Sequence, residues 1–308
     1  MSREAAVPSS SGTAVPARAP EAQDPLNRYL YHPLAARLAR LLVPTGISPN
    51  AVSVMSGGMI CAAAWFYGSA TGMGGVLAGF ACHLLWHVFD GADGDLARMT
   101  GKASPIGEFV DGAADYLGHI VLYLVLASVL DDTIGGWAWV LAVLSGASRI
   151  VQSNHAETER RAYLWRVYGT PWLKTTQAAG REGFTGRTWF SRTAVRVARG
   201  YVALSAWLAP YSARIDAAVE RSTHDPDQAI ELRHRVRAAS HGPLLLQKAL
   251  GANLRTLVLG VSMLAGSPLW FFLFETLLLN GVLLVSLAYH NTVERRLLAA
   301  LQDREAAA

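Results

Sequence analysis

The chain has 308 residues, of which 52% are hydrophobic and only 16% charged, with a formal net charge of +4. A soluble domain carries about 25% charged residues, so this composition excludes an ordinary soluble enzyme and points to a membrane protein. Cys61 and Cys82 both lie inside apolar runs, which excludes a disulfide framework and makes them small buried hydrophobes.

Residues 1–24 are rich in Ala, Pro and Ser and contain no apolar stretch. They read as a disordered cytosolic tail, not a signal peptide. The segment 25–48 contains "HPLAARLARLLVP", which sets Leu34, Leu38, Leu41 and Leu42 on one helical face and Arg37 and Arg40 off it. That pattern predicts an amphipathic helix lying on the membrane surface.

A span needs roughly 20 apolar residues to cross the hydrocarbon. Six candidates follow, at 49–67, 73–99, 105–130, 134–155, 243–265 and 268–291. The links at 68–72, 131–133 and 266–267 hold no Lys or Arg, whereas the N-terminal tail, the turn with Arg98 and Lys102, the 156–242 segment and the C-terminus with Arg295, Arg296 and Arg304 carry nearly all of them. By the positive-inside rule both termini are cytoplasmic. The expected fold is therefore all-α and polytopic. Helices 1–4 occupy 49–156, helices 5–6 occupy 243–292, and a C-terminal tail covers 293–308. Between the two groups, residues 157–242 read as a helical, net-basic cytosolic insertion touching the anionic surface. Beside membrane spans, its arginines do not suggest nucleic-acid binding.

The chemistry concentrates in "FDGADGDLARMTGKASPIGEFVDGAADYLGH", residues 89–119. At about 100° per residue, Asp90, Asp93, Gly94, Ala97 and Arg98 share one face of the second span, while Asp95 falls off it. Gly107, Asp111 and Asp115 form a stripe on the third span at steps of four. Unpaired carboxylates in lipid are too costly to stand alone, so the two stripes must face each other. Four aspartates without histidine or thiol make a hard, all-oxygen site suited to two Mg²⁺ or Mn²⁺ ions. Such a pair would clamp a diphosphate, with Arg98 on a phosphate. His83, His87 and His119 are expected to lie deeper, as a hydrogen-bonded floor. Arg149 and Arg255 lie too deep in the fourth and fifth spans to reach water, so each needs an anion. The expectation is a phosphate-holding acceptor pocket, with a structural salt bridge as the alternative.

The order Asp90-x2-Asp93-Gly94-x2-Ala97-Arg98-x8-Gly107-x3-Asp111-x3-Asp115 resembles the signature of the CDP-alcohol phosphotransferase (CDP-alcohol phosphatidyltransferase) family at all eight fixed positions. The likeness is specific over 90–115 and looser over the six-span plan and the "SPNAVS" start of the first span. It does not extend to the 1–24 tail or the 157–242 insertion. It implies transfer of a substituted phosphate from a CDP-linked alcohol to a hydroxyl, with release of CMP. It further implies that Asp90, Asp93, Asp111 and Asp115 hold two divalent ions and that Asp115 is the general base. Gly94, Ala97, Arg98 and Gly107 would contact the CDP group, with Asn50 and Ser53 near the cytosine. The expected reaction joins a phosphatidyl group from CDP-diacylglycerol to a polar alcohol, in the cell (inner) membrane, by a homodimer with a cytoplasmic active site. Two alternatives stand beside it. One is a relative that moves a phospho-alcohol from a soluble CDP-alcohol to diacylglycerol or a ceramide. The other, of a different class, is a divalent-cation carrier, which would have no use for Arg98.

Overall fold

The computed structural model describes residues 19–69, 72–170, 189–223 and 225–307. Among them every regular element is helical: α1 (His32–Leu42), α2 (Pro49–Ser69), α3 (Met73–Met99), α4 (Pro105–Ile134), α5 (Trp137–Tyr168), α6 (Trp189–Leu208), α7 (Ser212–Ser222), α8 (Pro226–Ala239), α9 (His241–Ala249), α10 (Ala252–Leu264), α11 (Leu269–Leu273) and α12 (Leu279–Ala307). A π-helical turn, Phe274–Leu278, joins the last two.

Among the described residues, four stretches are long and apolar enough to cross a membrane: Pro49–Ser69, Ile106–Ile134, His241–Leu264 and Leu269–Gln302. Six such spans were expected. The difference lies in α3 and α5, whose apolar runs are diluted by polar residues: His83, His87 and Asp90 in one, Ser145, Arg149, Gln152 and Asn154 in the other. Most of these polar side chains are turned inward and buried, which is how such a helix can stand in a membrane bundle. The outward surface keeps large apolar side chains, including Trp65, Leu117, Trp137, Val143 and Trp270, in contact with the surroundings. The molecule is an integral membrane protein.

α2 packs against both α3 and α4. Close approach needs small residues: a Cβ added to Gly57 would stand 2.8 Å from the Ala114 carbonyl oxygen. Ile60, Tyr67, Trp86, Leu122, Leu126 and Phe272 centre the apolar core of this bundle. α3 and α4 are antiparallel because "TGKASP" reverses the chain. Gly101 takes a left-handed φ of 66°, and Lys102 N donates to Ala97 O at 2.9 Å, which closes α3 with a Schellman-type turn. Ser104 then caps α4 by accepting from Gly107 N at 3.1 Å, with Pro105 in the first turn.

α1 meets α3 through a small face flanked by leucine. Ala35 and Ala39 are buried against Val52, Ala92 and Leu96, with Leu38 and Leu42 packed against the same cluster, while Leu34 and Leu41 are exposed.

Two boundaries differ from the sequence reading. α5 does not stop near residue 156 but runs on to Tyr168. Its last turns join α7, α8, α9 and the second half of α12 in a separate apolar core of Tyr163, Leu164, Ile215, Leu232, Val236 and Leu244. Residues 19–24, expected to belong to a free tail, are packed. Ala19 and Ala22 are buried, and Glu21 accepts from the hydroxyls of Tyr163 and Tyr168, each at 2.6 Å. Asp24 accepts from Asn253 at 2.6 Å. Composition marks this segment as polar and flexible, but two carboxylates that each find partners outweigh it.

Candidate active site

The carboxylates converge between α3 and α4, each of which packs against α2. Oxygens of Asp90, Asp111 and Asp115 all lie within 4.8 Å of one another. Asp93 is buried beside them, within hydrogen-bond reach of Asp111, as Asp90 is of Asp115. Carboxylates at such spacing repel unless protons or cations lie between them. Asp111 Oδ1 is buried without a hydrogen-bond partner among the described residues, so it is free to ligate. The donor set is all oxygen, and it fits a hard divalent cation.

Each acid is fixed by a neighbour. Ser53, one turn into α2, donates to Asp93 Oδ2 at 2.6 Å, so it orients a carboxylate and does not line the cavity. Trp86 Nε1 donates to Asp115 Oδ1 at 2.7 Å. Sequence reasoning missed Trp86, although it lies one helical turn before Asp90 on the same stripe. Asp95 lies outside the cluster, and its Oδ1 accepts from Arg98 at 2.6 Å. That contact steadies a guanidinium whose side chain is half exposed to the cavity.

A cavity of about 700 Å³ opens over the cluster. Asp90, Asp93, Gly94, Arg98, Asp111 and Asp115 line one wall. A Cβ on Gly94 would stand 3.5 Å from Arg98 Nη1, so glycine leaves space beside that guanidinium. Ala97, Gly107, Asn50 and Ser53 do not reach the wall. Gly107 instead lets Asn50 come close: its Cβ would meet Asn50 Oδ1 at 3.4 Å. The opposite wall carries Glu157, Arg160, Arg161 and Lys248, none of which stood out in the sequence. Both arginines bond Glu157. Burial alone would raise the Glu157 pKa, but the two guanidiniums override it and hold the carboxyl below its usual range. Glu157 is therefore charged, and two arginines against one acid leave this wall net positive.

A second cavity, of about 460 Å³, adjoins the first at Trp86 and Asp115. Its other walls are mainly apolar: Ile120, Leu124, Val143 and Ile150, with Arg149 and His119 at its polar end.

The histidines form a floor, as expected. His83, His87 and His119 are all buried around Trp86. His87 Nε2 bonds Thr256 Oγ1 at 2.9 Å. His119 Nδ1 meets Asp115 O at 2.8 Å, while its Nε2 faces Arg149 Nη2 at 2.9 Å. A carbonyl on one side and a guanidinium on the other set the tautomer: Nδ1 carries the proton and Nε2 accepts.

Arg149 and Arg255 do find an anion, and it belongs to the protein. Glu275, in the π-helical turn, is fully buried. Arg255 Nε lies 3.0 Å from Glu275 Oε1 and Arg149 Nη1 lies 3.6 Å from the same oxygen. Arg255 also donates to Gln152 Oε1 at 2.7 Å and to Leu250 O. It lines neither cavity. Tyr123 and Ser145 complete the Glu275 site, Ser145 at 2.6 Å. Glu275 is the one acid in the run 268–291, which is the signal that could have revealed this pairing.

Compared with known proteins, residues 46–178 match the family model described as CDP-alcohol phosphatidyltransferase. That match takes in α2 to α5 and the whole aspartate cluster. No curated protein and no solved structure matches the chain.

Proposed function

We propose that the chain, whose residues 46–178 match the CDP-alcohol phosphatidyltransferase family model, moves a phosphatidyl group from CDP-diacylglycerol to the hydroxyl of a polar alcohol. The observation that carries this reading is the pairing of cavities at Asp115. A polar cavity with aspartates on one wall and arginines on the other suits a nucleotide diphosphate and a hydrophilic acceptor. The apolar cavity beside it suits acyl chains, which reach Asp115 from the lipid side.

Asp90, Asp93, Asp111 and Asp115 would hold the divalent metal. Bound there, it would neutralise the diphosphate and the charge that develops on departing CMP. The protein groups do the rest. Arg98, held by Asp95, binds a phosphate of the CDP group. The acceptor hydroxyl gives its proton to the Asp115 carboxylate as its oxygen bonds the phosphorus, and the bond from phosphorus to CMP breaks. Trp86 fixes the carboxylate oxygen that is not taking the proton. Arg149 has its charge only partly matched at Glu275 and reaches the apolar cavity, so it takes the lipid phosphate. Arg255 acts as a structural partner of Glu275, which replaces the acceptor-phosphate role first expected for it. Arg160, Arg161 and Lys248 face the acceptor.

Trp86→Phe keeps the ring and removes the donor. A hydrogen bond to a charged group is worth roughly 1.5–3 kcal/mol, so kcat should fall about tenfold or more with both KM values unchanged. An unaltered kcat would remove Trp86 from the mechanism.

The donor assignment is tested by offering two substrate pairs to purified protein. One is CDP-diacylglycerol with a panel of alcohols, and the other is CDP-choline or CDP-ethanolamine with diacylglycerol. The first pair should yield CMP and a new phospholipid. Turnover of the second pair alone would reverse the direction of transfer. For topology, cysteines introduced at 214–237 should react with impermeant reagent only from the cytoplasmic side, and labelling only from the opposite side would invert the orientation.

A further inference from the structure

Residues 19–24 lie outside the stretch matched by the family model, yet they form part of the wall of the active-site cavity. Ala19, Ala22, Gln23 and Asp24 all line it, and so does Asn27 just beyond. The segment is anchored at three points. Glu21, outside the cavity, accepts from the Tyr163 and Tyr168 hydroxyls of α5. Gln23 Oε1 lies 3.0 Å from His32 Nδ1. Asp24 Oδ1 accepts from Asn253 Nδ2 of α10 at 2.6 Å and from Leu26 N at 2.8 Å, the second being an Asx turn that starts the helical run toward α1. Glu21 and Asp24 are thus held by α5 and α10, whereas Arg98 and Gly94 stand on α3.

Several polar atoms of this wall are left without partners. Asp24 Oδ1 takes two hydrogen bonds, but Oδ2 takes none among the described residues. The Asn253 amide is fixed in orientation, because its nitrogen donates to Asp24 Oδ1 and, at 3.0 Å, to Asn27 Oδ1. Its own Oδ1 then has no partner, and neither has Gln247 Oε1. Both residues line the cavity and are more than nine-tenths buried. Lys248, next in the chain, lines it too and forms no ion pair among the described residues. Oxygens that lack donors therefore share one cavity with an ammonium that lacks an acceptor.

For the transfer proposed above, on which this reading rests, we propose that Asp24 determines acceptor specificity and that the acceptor is a polyol, free or phosphorylated, without an amino group. A carboxylate outside the metal cluster repels a diphosphate, so Asp24 faces the acceptor and not the nucleotide. A hydroxyl donates and accepts at once, so neighbouring hydroxyls can donate to Asp24 Oδ2 and accept from Lys248. An amino alcohol brings an ammonium that only donates, and Arg160, Arg161 and Lys248 on the same cavity repel it. A site built to hydrogen-bond a hydroxyl strongly rejects an analogue that lacks it. The N-terminal segment thereby sorts acceptors, while residues 90–115 carry the chemistry.

The test is acceptor kinetics of the full-length protein with CDP-diacylglycerol, setting glycerol, inositol and their monophosphates against serine and ethanolamine. Wild type should favour a polyol or its phosphate, and the monophosphates separate those two sources. Asp24→Asn keeps an oxygen for Asn253 and Leu26 N but puts an amide nitrogen where Oδ2 stood. It should raise the polyol KM roughly tenfold or more, leave the KM for CDP-diacylglycerol unchanged and narrow the preference over serine, a ratio that a merely structural role would not move. Glu21→Ala frees the segment without altering a cavity residue and should raise the same KM; it decides the matter if Asp24→Asn does not fold. Preference for serine or ethanolamine overturns the acceptor assignment and leaves transfer from CDP-diacylglycerol standing. So does an unchanged polyol KM in folded Asp24→Asn or, in its place, Glu21→Ala. No CMP release from wild type with any acceptor overturns the transfer itself, and the acceptor assignment with it.

Discussion

Replacing any one of Asp90, Asp93, Asp111 or Asp115 with Asn should reduce CMP release by about 10³-fold or more, the scale on which electrostatic stabilisers of a transition state act. Oxygens of Asp90, Asp111 and Asp115 lie within 4.8 Å of one another, with Asp93 within hydrogen-bond reach of Asp111, so losing one charge weakens the whole donor set. Asp115→Asn is expected to be the most severe, because it removes the proton acceptor as well as a ligand. Asp95→Asn provides the contrast. An amide oxygen still accepts from Arg98, whose partner Asp95 is, and most activity should remain. Steady-state CMP release at saturating Mg²⁺ checks all five variants. Near-normal turnover in any of the first four would remove that residue from the site.

The second large effect is on stability. Arg255→Met should lower thermal stability strongly, because it leaves Glu275 buried with less of its compensating charge. Breaking a buried pair by removing one partner costs about 3–5 kcal/mol. The double change Arg255→Met with Glu275→Gln should recover a good part of the loss, since no uncompensated carboxylate is then left. Enzyme that survives should show ordinary KM values for both substrates, because Arg255 lines neither cavity. Arg149→Gln should behave differently. Its fold loss is smaller, as the contact to Glu275 is longer at 3.6 Å, but the KM for the lipid donor should rise. Thermal denaturation in detergent, set beside donor and acceptor KM values, separates the two arginines. A selective rise in acceptor KM with Arg255→Gln would restore the earlier expectation for that residue.

The helical architecture and the aspartate cluster were legible because both depend on short-range periodicity. Asp90 and Asp93 on one helix and Asp111 and Asp115 on the next meet as a direct result of the "TGKASP" reversal, so spacing alone placed them together. Asp95 was rightly kept apart on the same argument. What could not be read were contacts between distant elements. Nothing in the spacing of Arg255 or Glu275 links the fifth and sixth spans, and a buried cation therefore looked like a substrate ligand. The run-on of α5 was hidden by charge. Glu157, Arg160, Arg161 and Arg166 look like a solvated connection, yet each is paired, to a neighbour one turn away or to α7 and α12. Composition likewise marked residues 19–24 as tail, while Glu21 and Asp24 tie them to α5 and α10.

Metal-dependent transfer from CDP-diacylglycerol at the aspartate cluster can be followed by counting both products in one reaction as Mg²⁺ is titrated into metal-stripped wild-type protein with labelled CDP-diacylglycerol and the alcohol panel. CMP and phosphatidyl alcohol should form in equal amounts, both absent with chelator, both restored by Mg²⁺ or Mn²⁺, and both missing in Asp111→Asn. CMP released without metal, or metal bound with no transfer to any alcohol, would contradict that transfer.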